Sequence, residues 1–241
     1  MAEHGSTADA DAHHRQSDAE NTPAGTGDEA QRDRARAARE LGDAVRELVE
    51  AVATTEVDAD TMRKVADQAR DMVPALTAAT RDRATAPSLD KARPGRRMYS
   101  PAVGPGNPIA PPMRVEITDD GVAVGSCTLG LVYEGPHGYC HGGISAMLID
   151  QILGHAHAAQ GRPGMTVALS LRYRKPVPLQ TPLRITAWVD PEDVSDRRTG
   201  PKAAIATAED PDTALVEASG VFVVPNPEQV RRIFGDAGQA G

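Results

Sequence analysis

Residues 138–156 read GYCHGGISAMLIDQILGHA. Two glycines open a helix-length run in which Ile144, Ala146, Met147, Leu148, Ile149, Ile152 and Leu153 point to nearly every side. A helix apolar all round has to be covered all round, so it belongs at the centre of a domain. On its N-terminal side, MRVEITDDGVAVGSCTLG alternates apolar and polar residues across a D-D-G turn and reads as a hairpin. On its C-terminal side, MTVALSLRYRKPV, PLRITAWVDPEDV, GPKAAIATAED and ALVEASGVFVVP are strand-length runs bounded by Gly, Pro or Asp. The order is two strands, one helix, four strands. It predicts an α+β domain in which an antiparallel sheet wraps around one long central helix.

The remaining chain divides by composition. Residues 1–30 hold almost no large apolar side chains and are expected to be a disordered tail. Over 31–80 a helical hairpin is expected. Leu41, Val45, Leu48, Val49 and Val52 form one apolar stripe, and Met62, Val65, Ala69, Met72, Val73 and Leu76 form another. Asp58 or Asp60 is available as N-cap between them, and Pro74 should kink or end the second helix. Such a hairpin has too little core to stand alone and must pack on the main domain or on a second copy. Residues 81–106 are rich in Pro, Gly and Arg and read as a solvated linker, or alternatively as an anion contact. The sheet-and-helix domain is expected over 107–226, followed by a C-terminal tail over 227–241.

The composition narrows the functions available. A net charge of −8 and only seven aromatic residues among 241 argue against a nucleic-acid partner. The two cysteines, Cys127 and Cys140, make no disulfide framework, and no run reaches the length of a membrane span. A soluble cytoplasmic protein with no membrane partner is the expectation.

The glycines and the acid carry the chemistry. Gly142 and Gly143 let a ligand approach backbone closely. At a helix start their N–H groups are unpaired and lie at the positive end of the dipole. Such amides suit a carbonyl oxygen that becomes an oxyanion, and one donor is worth about 3 kcal/mol of barrier. The bland alternative is a tight turn. His141 reads as the neighbour that holds this loop, with direct substrate contact as its other possible role. Asp150 lies among apolar residues, where a carboxylate pairs, shifts its pKa or serves a function. It is read as a base that activates water or a nucleophile toward an acyl carbon. Gly142 and Asp150 stand eight residues apart, about 12 Å along one helix. One scissile carbonyl cannot reach both. Two such helices packed antiparallel about a two-fold axis would join the glycine end of one to the acid of the other.

The stretch YEGPHGYCHGGISAMLID, with the strand order behind it, resembles the PaaI-like acyl-CoA thioesterases of the hotdog fold, over about residues 107–224. The resemblance implies an acyl-CoA partner, no cofactor, and active sites shared across a homodimer or a dimer of dimers. It implies catalytic roles for Asp150, Gly142, Thr166 and His141, Thr166 standing near the start of the strand after the helix. Strict alternation puts Val167, Leu169, Leu171 and Tyr173 on one face and Thr166 on the other. A bend after Gly164 would restore it. Gly143, Arg172, Arg174 and Lys175 are the expected substrate contacts. The three basic residues could meet coenzyme A phosphates or could simply guard a sheet edge.

Other constellations are weaker. His155 and His157 lie about 200° apart on a helix and cannot chelate together, so no metal is expected. Cys140 has no dedicated base and reads as a small buried thiol. Ser145 lacks the second glycine of a nucleophile elbow. A non-catalytic acyl-CoA-binding module is the leading alternative to an enzyme, and it leaves Asp150 without a purpose. A hydratase would need Asp150 and His155 to converge, yet they stand about 140° apart.

Overall fold

The computed structural model describes residues 26–82, 85–91, 97–161, 164–195, 197–226 and 228–229. Three helices come first: α1 (Thr26–Thr54), α2 (Ala59–Thr77) and the short α3 (Ser88–Lys91). Then follow β1 (Arg114–Ile117), β2 (Ala123–Thr128), a 3-10 turn (Leu131–Tyr133) and the central helix α4 (Gly142–Ala159). The chain closes with β3 (Met165–Tyr173), β4 (Pro182–Trp188), β5 (Arg198–Thr199), β6 (Lys202–Thr207) and β7 (Val216–Val223). All strand pairs are antiparallel, in the order β1-β2-β4-β6-β7-β3, with the two-residue β5 paired to β7. This is the hotdog fold: an antiparallel sheet wrapped on one helix, preceded by helices. The two-residue β5 is the addition to the expected order; it is too short to leave a compositional trace.

Leu148, Ile149, Ile152, Leu153 and Ala156 form the inner face of α4 and are fully buried. The sheet meets them through every second residue: Leu183, Ile185 and Ala187 of β4, Ala203 and Ile205 of β6, and Val216 and Phe222 of β7. Each such aliphatic side chain contributes about 1.5–3 kcal/mol by leaving water. Gly125 lets β2 approach the helix, since a Cβ there would lie 2.8 Å from Met113 Sδ and 3.3 Å from Ile152 Cδ1.

The sheet covers only one side of α4. Gln151, on another side, accepts from Ser100 Oγ at 3.2 Å, and Ala102 belongs to the core cluster. Within the stretch expected to be linker, Ser100 and Ala102 thus pack on the domain. Single apolar residues inserted between prolines and glycines carry no period, which is why composition alone reads this stretch as linker. The stripe bearing Gly143, Met147, Asp150 and Gly154 is left half-exposed or open.

Helix α1 begins at Thr26, inside the segment expected to be a tail; residues 1–25 of that tail lie outside the described residues. Most of the C-terminal tail, 230–241, lies outside them too. Asp58 caps α2, its Oδ1 accepting from Asp60 N–H at 2.9 Å and Thr61 N–H at 3.0 Å. Pro74 sits inside α2, which continues to Thr77 and ends within a turn. The helices do not share one fate. α1 packs on the domain, whereas α2 buries no residue, and Met62, Val65, Met72, Val73 and Leu76 stay exposed. Among the described residues no helix is long and apolar enough to cross a membrane.

Candidate active site

His141 is the N-cap of α4, with extended backbone (φ −61°, ψ 133°), and its Nδ1 accepts from Gly143 N–H at 3.0 Å. The imidazole thus satisfies one of the orphan donors of the helix start. Gly143 N–H is consequently occupied. No acceptor among the described residues takes Gly142 N–H. The expected pair of amides reduces to one, carried by Gly142.

The turn before it is fixed from three directions. His141 N–H donates to Tyr133 O at 2.9 Å, Cys140 N–H to Val177 O at 2.9 Å, and Gly138 N–H to Glu134 Oε1 at 2.7 Å. Gly138 has φ +79°, a backbone that glycine adopts at no steric cost. Tyr173, at the end of β3, donates its hydroxyl to Gly142 O at 2.9 Å. Sequence reading passed over Tyr173 as a site residue. Its parity with Leu169 and Leu171 was the available signal.

Two turns along α4, Thr166 Oγ1 donates to Asp150 Oδ1 at 2.8 Å. This contact depends on an irregularity. The β3–β7 register shifts between Thr166 and Ala168: Thr166 faces Phe222, and Ala168 faces Val221. Val167 is the extra residue, a bulge, and its side chain is 60% exposed. As the extra residue it has no partner on β7 and stands outside the alternation that Leu169 and Leu171 follow. The bulge resets the parity, so Thr166 lies opposite the buried Phe222, on the helix side of the sheet. The irregularity that restores Thr166 comes at Val167, three residues after Gly164.

Asp150 is half-buried and has no ion-pair partner among the described residues. No described arginine supplies the pairing that would otherwise explain it. The basic residues of β3 divide. Arg174 is held by Glu217, with Nε and Nη2 at 2.9 and 2.7 Å from Oε2. Arg172 and Lys175 are exposed.

The rival groups are employed elsewhere. His155 Nδ1 lies 2.8 Å from Gln151 O and does not join Asp150. Buried His157 bonds Thr199 Oγ1 at 2.7 Å and lies against the Phe222 ring. Burial pushes the Cys140 thiol above its ordinary pKa and the Cys127 thiol up to about 12, so both stay protonated and weakly nucleophilic at neutral pH. Ser145 is buried, with its Oγ 3.7 Å from Cys140 Sγ. No group of three or more His, Cys, Asp or Glu among the described residues is placed to hold a metal ion.

Within a single chain the two candidate groups stand apart. One is the Gly142 amide at the helix start. The other is the Asp150–Thr166 pair, about 12 Å further along the axis.

Comparison with known proteins agrees with this architecture. A family model described as thioesterase superfamily matches residues 137–190, which include Gly142, Asp150 and Thr166. The crystal structure of a thioesterase superfamily protein is 33% identical, covers 77% of this chain and 94% of its own, and superimposes with a TM-score of 0.69. The chain belongs to the thioesterase superfamily. Because 107–226 makes up only half of the chain, that match extends into the N-terminal part as well. Two further structures are similar at lower identity. The PaaI protein from the phenylacetic acid degradation operon of E. coli is 20% identical (47% of this chain, 80% of its own, TM-score 0.43). A hypothetical thioesterase from Streptococcus pneumoniae, solved with coenzyme A, is 23% identical (47% and 89%, TM-score 0.43).

Proposed function

We propose that this protein hydrolyses acyl-CoA thioesters to free acid and coenzyme A, in a site shared by two copies of the chain. The observation that carries the reading is the Thr166–Asp150 hydrogen bond. It holds a half-exposed carboxylate at a fixed orientation on a helix whose first amide is unoccupied, with neither a cation on the carboxylate nor an acceptor on the amide among the described residues.

The proposed assembly follows from what one chain leaves uncovered. β3 is a nine-residue edge strand with Met165, Val167 and Tyr173 exposed, and a long apolar edge calls for a partner. The open stripe of α4 bearing Asp150 lies beside it. Two copies related by a two-fold axis, joined along these surfaces, bring Gly142 of one chain near Asp150 of the other. The thioester carbonyl oxygen accepts from Gly142 N–H. The partner's Asp150 takes a proton from water, and the water oxygen attacks the carbonyl carbon. Charge gathers on the oxygen facing Gly142. Collapse breaks the C–S bond, and the thiolate leaves as thiol with the proton Asp150 had taken. Direct attack by the carboxylate is the other path for the same group. Arg172 and Lys175 are proposed phosphate contacts; Arg174, engaged by Glu217, is the weakest of the three candidates. No cofactor is required, since a thioester is already activated.

The test is release of free thiol from a panel of short, long and aromatic acyl-CoAs. Activity toward none of them would remove the proposal. With the best substrate, Thr166→Val should lower kcat by about ten- to a hundredfold, the value of a hydrogen bond to a charged group. Thr166→Ser should restore most of it. Equal rates for Thr166→Val and wild type would remove Thr166 from the site.

A further inference from the structure

The 3-10 turn Leu131–Tyr133 has a defect at its start. Its N-cap is Gly130, which has no side chain to accept the first N–H groups. The acceptor comes from elsewhere: Glu50 of α1 takes Leu131 N–H on Oε1 at 2.7 Å and Val132 N–H on Oε2 at 3.1 Å. The two residues are fitted to each other, since a Cβ on Gly130 would lie 2.4 Å from Glu50 Oε2. A carboxylate at this end of a helical turn is also favoured by the dipole.

The turn it holds leads directly to the site. Tyr133 O accepts His141 N–H at 2.9 Å, Glu134 bridges antiparallel to Cys140, and a Cβ on Gly135 would lie 2.8 Å from His141 Cα. His141 in turn caps α4 and precedes Gly142. Three rigid contacts thus join Glu50 to the amide at Gly142. We infer that Glu50 is a positioning residue: through the Leu131–Tyr133 turn it sets the direction of Gly142 N–H, making α1 part of the catalytic apparatus. The inference rests on the reading of Gly142 given above.

A built-in control separates this role from simple docking of α1. Gly42, Arg46 and Glu50 lie on one face of the helix. Gly42 packs on Pro105 and Gly106, and Arg46 donates to Asn107 O at 2.7 Å and Pro105 O at 2.8 Å, carbonyls outside the 3-10 turn. Arg46→Ala loosens the docking while both Glu50 hydrogen bonds to the turn stay in place. A displacement of about 1 Å can cost 10²-fold, so Glu50→Ala should lower kcat about ten- to a hundredfold while KM stays within about threefold. Glu50→Gln should recover part of the loss, because its one amide oxygen still accepts. Gly130→Ala, which evicts the carboxylate, should reproduce the Glu50→Ala loss. Arg46→Ala should lower the melting temperature and leave kcat nearly unchanged. Hydrogen exchange gives a readout independent of activity: peptides spanning 130–143 should exchange faster in Glu50→Ala, with β4 and β6 unaltered. An unchanged kcat in Glu50→Ala, or an equal loss in Arg46→Ala, would overturn the inference. If the wild type hydrolyses no acyl-CoA, the functional reading fails by itself, and unaltered exchange over 130–143 would then overturn the positioning role.

Discussion

Asp150→Asn is expected to lower kcat by about 10²- to 10⁴-fold, the range that a positioned general base contributes. The substitution keeps the size and shape of the side chain. Asn Oδ1 can still accept from the Thr166 hydroxyl, so the 2.8 Å contact survives and with it the local geometry of β3 and α4. What is lost is the capacity to take a proton from water or to attack an acyl carbon. Asp150 is half-exposed and pairs with no cation among the described residues, so the change leaves no opposite charge stranded in the interior. Stability should therefore move little, and acyl-CoA should still bind, as read by calorimetry on the inactive variant. Steady-state thiol release measures the loss. Hydrolysis within tenfold of wild type would eliminate the carboxylate from the mechanism and return the protein to a binding role.

The unequal legibility of the fold has a physical basis. The central helix was legible because its inner face has to be apolar at i, i+3, i+4 and i+7, and Ile149, Ile152, Leu153 and Ala156 obey that rule. Strands such as β4 were legible because Leu183, Ile185 and Ala187 alternate with Arg184 and Thr186. Asp150 was conspicuous as a charge within such a run. Its surroundings were not, because the side of α4 it occupies is the side this chain leaves uncovered. Thr166 shows where periodicity stops being informative. A one-residue bulge at Val167 inverts the parity of everything before it and leaves no mark in composition. Glu50 was invisible for another reason. A glutamate on a charged helix looks like solvated surface, and its partners are backbone amides some 80 residues away, which no local pattern encodes.

The two candidate groups are joined or separate according to whether two chains meet, and proline at position 142 gives the means to decide. Gly142 is the first helical residue of α4, the position where proline is best tolerated because its missing N–H has no helical partner. The residue before it must be extended, and His141 already is, at φ −61° and ψ 133°. The new Cβ would lie 3.3 Å from the Tyr173 hydroxyl, a contact that a shift of the side chain relieves. Gly142→Pro thus deletes the proposed oxyanion donor while the helix remains, and kcat should fall about 10²- to 10³-fold. Combined with Asp150→Asn it becomes a test of assembly. Let one chain carry Gly142→Pro and the other Asp150→Asn, each with its own tag, and let tandem purification select the mixed dimer. If Gly142 of one chain works with Asp150 of the other, both lesions fall in the same site and the second site is intact. Two nearly inactive proteins would then yield about half the wild-type turnover per dimer. If each site were built within one chain, every site in the mixed dimer would carry one lesion and no activity would return.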